Sequence, residues 1–82
     1  MRLSAAQQRV LLAMANQSTL KSHRDIEGNK MYRLHTLDGA SEDIPAALVE
    51  ALCDKGLIDS NKKFPASTYW LTGLGQRATR QP

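Results

Sequence analysis

Eighty-two residues, 41% of them apolar, suffice for one small core and one domain, and the single cysteine, Cys53, excludes an internal disulfide. The longest early apolar run, Val10 to Ala15, is far too short to span a membrane and no secretory-type cleavage pattern follows it, so a soluble cytoplasmic protein is expected. The net charge of +3 is segregated: residues 1–37 carry six cations against two acids, residues 38–59 six acids against Lys55, and residues 60–82 four unopposed cations.

In chain order, Ser4 followed by Gln7 is a capping-box signature and predicts a helix over residues 4–15. Ala6, Val10, Ala13 and Met14 fall on its apolar face, with Leu11 at the edge. Residues 19–36 alternate apolar and polar around Glu27–Asn29, which predicts a β-hairpin looping through those three residues. In that register Leu20 faces Thr36, Ser22 faces Leu34 and Arg24 faces Tyr32. Leu20, Tyr32 and Leu34 then share the buried face. Lys21, His23, Arg33 and His35 share the other, with His23 across from Arg33.

Asp38–Gly39 reads as a turn. A central helix is expected over 42–54, starting between Ser41 and Ile44 with Pro45 in its first turn. Its core stripe is Ile44, Ala47, Leu48, Ala51 and Leu52, and Gly56 ends it in the left-handed conformation. The strand Gly56–Ser60, the basic turn Asn61–Pro65 and the strand Thr68–Thr72 then form a second hairpin. On its second strand Tyr69 and Leu71 lie on one face and Thr68, Trp70 and Thr72 on the other. From Gly73 a short helix or coil is expected, with residues 79–82 as a disordered tail. The fold class that follows is α+β and winged-helix-like. It is one domain over residues 1–82, with an N-terminal helix, a β-hairpin, a central helix and a C-terminal wing hairpin.

The pattern resembles the small YjhX-type toxin family through Leu3-Ser4, Gln8-Arg9, Leu11 and Ala15 in the first helix region. Arg24-Asp25 with Gly28 in the hairpin, Leu52 and Lys55 before Leu57-Ile58, and Tyr69 in the last strand carry the rest of the likeness. Pro45, Trp70 and the acidic helix 42–54 depart from that pattern. The resemblance implies a winged-helix protein of a bacterial toxin–antitoxin pair that inhibits a DNA topoisomerase by binding it.

The residues themselves point to binding. Lys62 and Lys63 at the wing tip, the Lys21, His23, Arg33 and His35 group, and Arg77 near the end are placed to meet DNA phosphates. Their bland alternative is a solvated surface that keeps an exposed hairpin soluble. The central helix would present Ala46, Val49, Glu50, Cys53 and Asp54 outward, with no Arg, Lys, Asn or Gln to read bases, so contact with DNA is expected to be non-specific. Val49 and Cys53 with Trp70 offer instead a surface for a protein partner or a homodimer; the alternative for Trp70 is a structural role covering a neighbour. An inhibitor of a DNA-processing enzyme is therefore the second reading. No metal-ligand spacing, nucleophile motif or complete phosphate loop occurs, so neither an enzyme nor a cofactor or small-molecule substrate is expected. Cys53, close to Glu50 and Asp54, is expected to be a poor thiolate.

Overall fold

The computed structural model describes residues 3–62 and 66–80. Along them run α1 (Ala5–Ala15), β1 (Thr19–Arg24), β2 (Lys30–His35), β3 (Ser41–Ile44), α2 (Ala46–Asp54), β4 (Ile58–Ser60), β5 (Ser67–Leu71) and α3 (Gly73–Arg80). The strands form one antiparallel sheet in the order β3-β2-β1-β5-β4. The α+β class expected from the sequence holds.

α1 begins on the anticipated capping box. The Ser4 hydroxyl accepts the Gln7 N–H at 3.1 Å, and the Gln7 side-chain oxygen accepts the Ser4 N–H at 2.9 Å. Its end is a Schellman turn, with the Ser18 N–H donating to the Ala13 carbonyl at 2.9 Å and the Gln17 N–H to that of Met14 at 3.2 Å. The left-handed position there belongs to Gln17 at φ +74°, which costs a side-chain-bearing residue about 1–2 kcal/mol. The same motif ends α2 at the expected Gly56, φ +74°, where no Cβ has to be accommodated. On α1 the buried stripe is Val10, Leu11 and Met14. Ala6, expected inside, is exposed, and Leu11, expected at the edge, is only 2% exposed.

The first hairpin differs from its expected register by one pair. Leu20 faces Leu34, Lys21 faces Arg33, Ser22 faces Tyr32 and His23 faces Met31. Asp25 is the reason. Its Oδ1 accepts the N–H groups of Glu27 and Asn29 at 2.9 and 2.8 Å, while its own N–H donates to the Asn29 carbonyl at 2.9 Å. The loop therefore closes over residues 26–28, one position earlier than the composition suggested. Because the change in register is even, every residue keeps its face, and Leu20, Tyr32 and Leu34 are buried together as anticipated. The Asp38–Gly39 turn forms in the same way, with the Thr36 N–H donating to the Ala40 carbonyl at 2.9 Å.

The expected helix over 42–54 is corrected at its start. Residues Ser41–Ile44 continue as β3, with Ile44 opposite Tyr32 and Glu42 opposite Leu34. Pro45 is the N-cap of α2 rather than a first-turn residue. Two causes act together: a proline drives the residue before it out of the helical region, and the preceding turn hands residues 41–44 a ready ladder on β2. The shorter helix turns a different face inward. Val49, expected to point out as an interface residue, is 1% exposed and lies in the core with Leu52, while Ala47 is exposed. Removing an aliphatic side chain of that kind from water contributes roughly 1.5–3 kcal/mol, so the core claims Val49 over the surface.

α1 packs on α2, α3 and β5, and α2 on β2 and β4. The core between them and the inner face of the sheet holds Val10, Leu11, Leu20, Leu34, Leu52 and Leu57 at its centre. α3 is seated by Thr72, whose hydroxyl accepts the Gly75 N–H at 3.1 Å and donates to the Gly56 carbonyl at 2.6 Å. A Cβ on Gly75 would lie 2.0 Å from the Leu57 carbonyl oxygen, so this glycine is needed for helix–strand packing. Thr79 and Arg80, expected in a disordered tail, form the last turn of α3, where the Thr79 hydroxyl donates to the Gln76 carbonyl at 2.7 Å.

Candidate nucleic-acid interface

α1 and α2 cover the inner face of the sheet and leave its outer face open, as an antiparallel sheet permits. Lys21, His23, Arg33 and His35 do share that outer face. Lys21 stands opposite Arg33 on one side and Thr68 on the other, while His23 faces Met31 rather than Arg33. Two acids join them. Asp43 is the cross-strand partner of Arg33, with Nε to Oδ1 at 3.1 Å, and Asp59 is that of Trp70. The lysine, arginine and two carboxylates of this face balance, so the patch is less positive than its sequence cluster suggested. Trp70 is 46% exposed, as its strand parity required. It borders a gap of about 360 Å³ where the start of β1 and the end of β5 part, lined also by Met14, Thr19 and Gln76.

The stronger concentration of cations lies elsewhere. β1 and β5 are antiparallel neighbours, so the end of β1 meets the beginning of β5, with Ser22 opposite Ser67. The β1–β2 and β4–β5 connections consequently emerge at the same end of the sheet. On the inner face there, the paired serines are 1% and 6% exposed and fill far less space than the leucines and tyrosines beside them. A cleft of about 470 Å³ opens over them, and Arg24, Lys30 and Lys62 all line it. Lys62, expected at a wing tip, thus belongs with Arg24 and Lys30, not with the outer-face group. Lys63, its expected companion, and Phe64-Pro65 lie outside the described residues.

Each of these cations is positioned. Arg24 donates from Nη1 to the Gly28 carbonyl at 2.9 Å. Lys30, its direct cross-strand partner, holds its ammonium 5.4 Å from the centre of the Tyr32 ring. Partial burial acts to lower the Lys30 pKa, but hydrogen bonding and attraction to the Tyr69 and Tyr32 phenols outweigh it and leave it above its ordinary value. Tyr32 and Tyr69 meet edge to face at 5.9 Å, and the Tyr32 phenol is pushed up first by burial and then by its hydrogen bond with Tyr69. Lys62 has a left-handed backbone, φ +55°, with its N–H donating to the Ser60 hydroxyl at 3.3 Å. Asp59, whose Oδ1 accepts the Ser60 N–H at 2.8 Å, is the acid lining the cleft among the described residues.

Sequence reasoning passed over Arg24 and Lys30. Their signal was present: Arg24 two positions after Ser22 and Lys30 two before Tyr32, hence on the buried face but past the reach of its apolar stripe. Of the remaining candidates, Arg77 is exposed on α3, at the opposite end of β5 from the cleft. Cys53 is exposed at the cleft wall, and its thiol is raised by burial, then by the Asp54 and Asp59 carboxylates, so it is a weak nucleophile. Among the described residues no group of three or more His, Cys, Asp or Glu side chains is arranged for a metal, and no helix is long and apolar enough to cross a membrane. No family model, curated protein or solved structure matches the chain.

Proposed function

We propose that this domain is a nucleic-acid-associated binding module, winged-helix-like in its use of the β4–β5 hairpin, that holds phosphates without reading bases. A regulatory or toxin-like role in the cytoplasm, without catalysis or cofactor, fits that reading and the resemblance carried by Arg24-Asp25, Gly28 and Leu57-Ile58. The observation that carries it is the convergence of Arg24, Lys30 and Lys62 from two hairpins at one end of the sheet. Lys21 on the outer face adds one cation beside the β1–β2 ribbon, while Arg33 there is paired with Asp43. The exposed side of α2 supports the non-specific part: Ala46, Ala47, Glu50 and Asp54 include no Arg, Lys, Asn or Gln and present two carboxylates to any phosphate.

The protein-inhibitor alternative retains less. Val49 is in the core, and Cys53 and Trp70 lie on opposite sides of the sheet, so the three cannot form one interface.

Titrating labelled duplex DNA with the protein across a salt series tests the proposal. Each phosphate neutralised steepens the log–log salt dependence by about 0.9, so Lys62→Ala should lower the slope by roughly that amount, with little dependence on DNA sequence. Absence of binding at low salt, or a slope indifferent to both Lys62→Ala and Lys30→Met, removes the proposal.

A further inference from the structure

We infer that the cleft between the hairpins binds a phosphate monoester, carried either by a free small molecule or by the end of a nucleic-acid strand. The inference rests on the same cation cluster as the nucleic-acid reading but adds a feature that backbone binding does not require. That feature is the floor. Ser22 and Ser67 stand opposite each other in register at the bottom of the cleft, and both are more than nine-tenths buried. The other buried positions of this sheet face are leucine, isoleucine or tyrosine, so two adjacent serines leave room that aliphatic residues would have closed. A diester backbone running over the surface would touch the cations and have no use for that depth.

The chemistry of the lining suits a compact dianion. The Ser22 hydroxyl carries a rotatable proton able to turn toward an oxyanion, and Ser67 and Tyr69 line the same floor. Arg24, Lys30 and Lys62 supply three positive charges around them, and Asp59, the acid of the lining among the described residues, lies on an edge strand with Trp70 as its outer-face partner. A monoester near neutral pH carries a charge approaching −2 and three strong acceptor oxygens, whereas a diester carries −1 and fewer. Arg24 and Lys30 are direct cross-strand partners, so an anion in the cleft would be attracted by both. The left-handed Lys62 fits the same account, because residues held in sparsely populated backbone regions gather at ligand sites. At about 470 Å³ the cleft has the volume of a small-molecule pocket and admits a mononucleotide.

Amide chemical-shift titrations of the full chain at low salt test the inference, using inorganic phosphate, adenosine 5′-monophosphate and adenosine as probes. Expected are saturable shifts at Ser22 and Ser67 with phosphate and the monophosphate and none with adenosine. Lys30→Met and Ser22→Val should each weaken the monophosphate at least tenfold, and Lys21→Ala on the outer face should change it less than twofold. Lys30→Met leaves the buried serines untouched, so a folding defect in Ser22→Val does not spoil the test. A 5′-phosphorylated oligonucleotide binding tenfold more tightly than its 5′-hydroxyl counterpart assigns the site to strand ends; equal binding of the two, with the monophosphate still bound, assigns it to free esters. No shift at either serine with any phosphate probe, or equal weakening by Lys21→Ala and Lys30→Met, overturns the inference. Salt-dependent duplex binding that survives such a failure leaves the nucleic-acid reading standing alone. Monophosphate binding without duplex binding leaves only the cleft.

Discussion

Two residues along β1 separate the core from the candidate site. At Leu20 the inner face of the sheet is sealed: Leu34 and Tyr69 are its cross-strand neighbours, and α1 and α2 pack above. At Ser22 the same face opens, with Tyr32 and Ser67 alongside and Arg24 and Lys30 one step further on. The strand, its parity and its neighbours are unchanged, and only side-chain volume and charge differ. A small domain need not build a separate structure for binding when it can withhold aliphatic side chains from one end of a sheet it already has.

The harshest way to test this contrast is to place a charge where the helices seal the core. Val49→Asp should leave no cooperative folded state by circular dichroism, because burying an unpaired carboxylate costs about as much as a small domain's whole stability. Ala46→Asp on the exposed side of α2 should melt within a few degrees of the parent. A folded Val49→Asp would restore the outward orientation that the sequence pattern implied.

A milder probe compares neighbouring positions directly. Leu20→Ala should cost about 2–5 kcal/mol in urea denaturation, as other large-to-small core changes do, whereas Ser22→Ala removes one hydroxyl beside a cleft and should cost under about 1.5 kcal/mol. Equal losses would mean that the two ends are packed alike.

The smallest effect concerns acid. Hydrogen bonds from the Asn29 backbone, ahead of those from Glu27 and Gly28, hold the Asp25 carboxyl below its ordinary value, with slight burial opposing them. A carboxyl depressed on folding contributes fully above its unfolded pKa of about 3.9 and loses that contribution as the pH falls through the lower folded value. Glu27 and Asn29 amide shifts should therefore titrate in the acid limb, and Asp25→Asn should abolish that titration. Amide shifts indifferent to pH between 2 and 5 in the parent would show that the carboxylate does not organise the loop.

Much of the architecture was legible in the sequence because it rests on local chemistry. Ser4 with Gln7, Asp38-Gly39 and Gly56 each announced a cap or turn through one residue type in one place. Alternation placed Leu20, Tyr32 and Leu34 together, and it survived a misplaced loop because faces depend only on parity. What could not be read was nonlocal. Residues 41–44 have weak intrinsic preference and become a strand because β2 lies beside them, which in turn rotates α2 and draws Val49 inward. The pairing of Ser22 with Ser67 joins segments 45 positions apart in the chain, so no window along it could reveal the cleft. The outer-face group was legible as a cluster, but the acids that balance it arrive from β3 and β4.

The strand order also determines which backbones end the sheet. β3, with the sequence Ser-Glu-Asp-Ile over Ser41–Ile44, and β4, three residues long, occupy the two margins. Few main-chain groups remain there to recruit another copy, and the Arg9–Glu42 and Arg33–Asp43 ion pairs tie the β3 side chains to their own molecule. Short borders whose charged side chains are already paired thus offer little to strand-by-strand polymerisation in crowded solution, a hazard for any small domain built around an open ribbon.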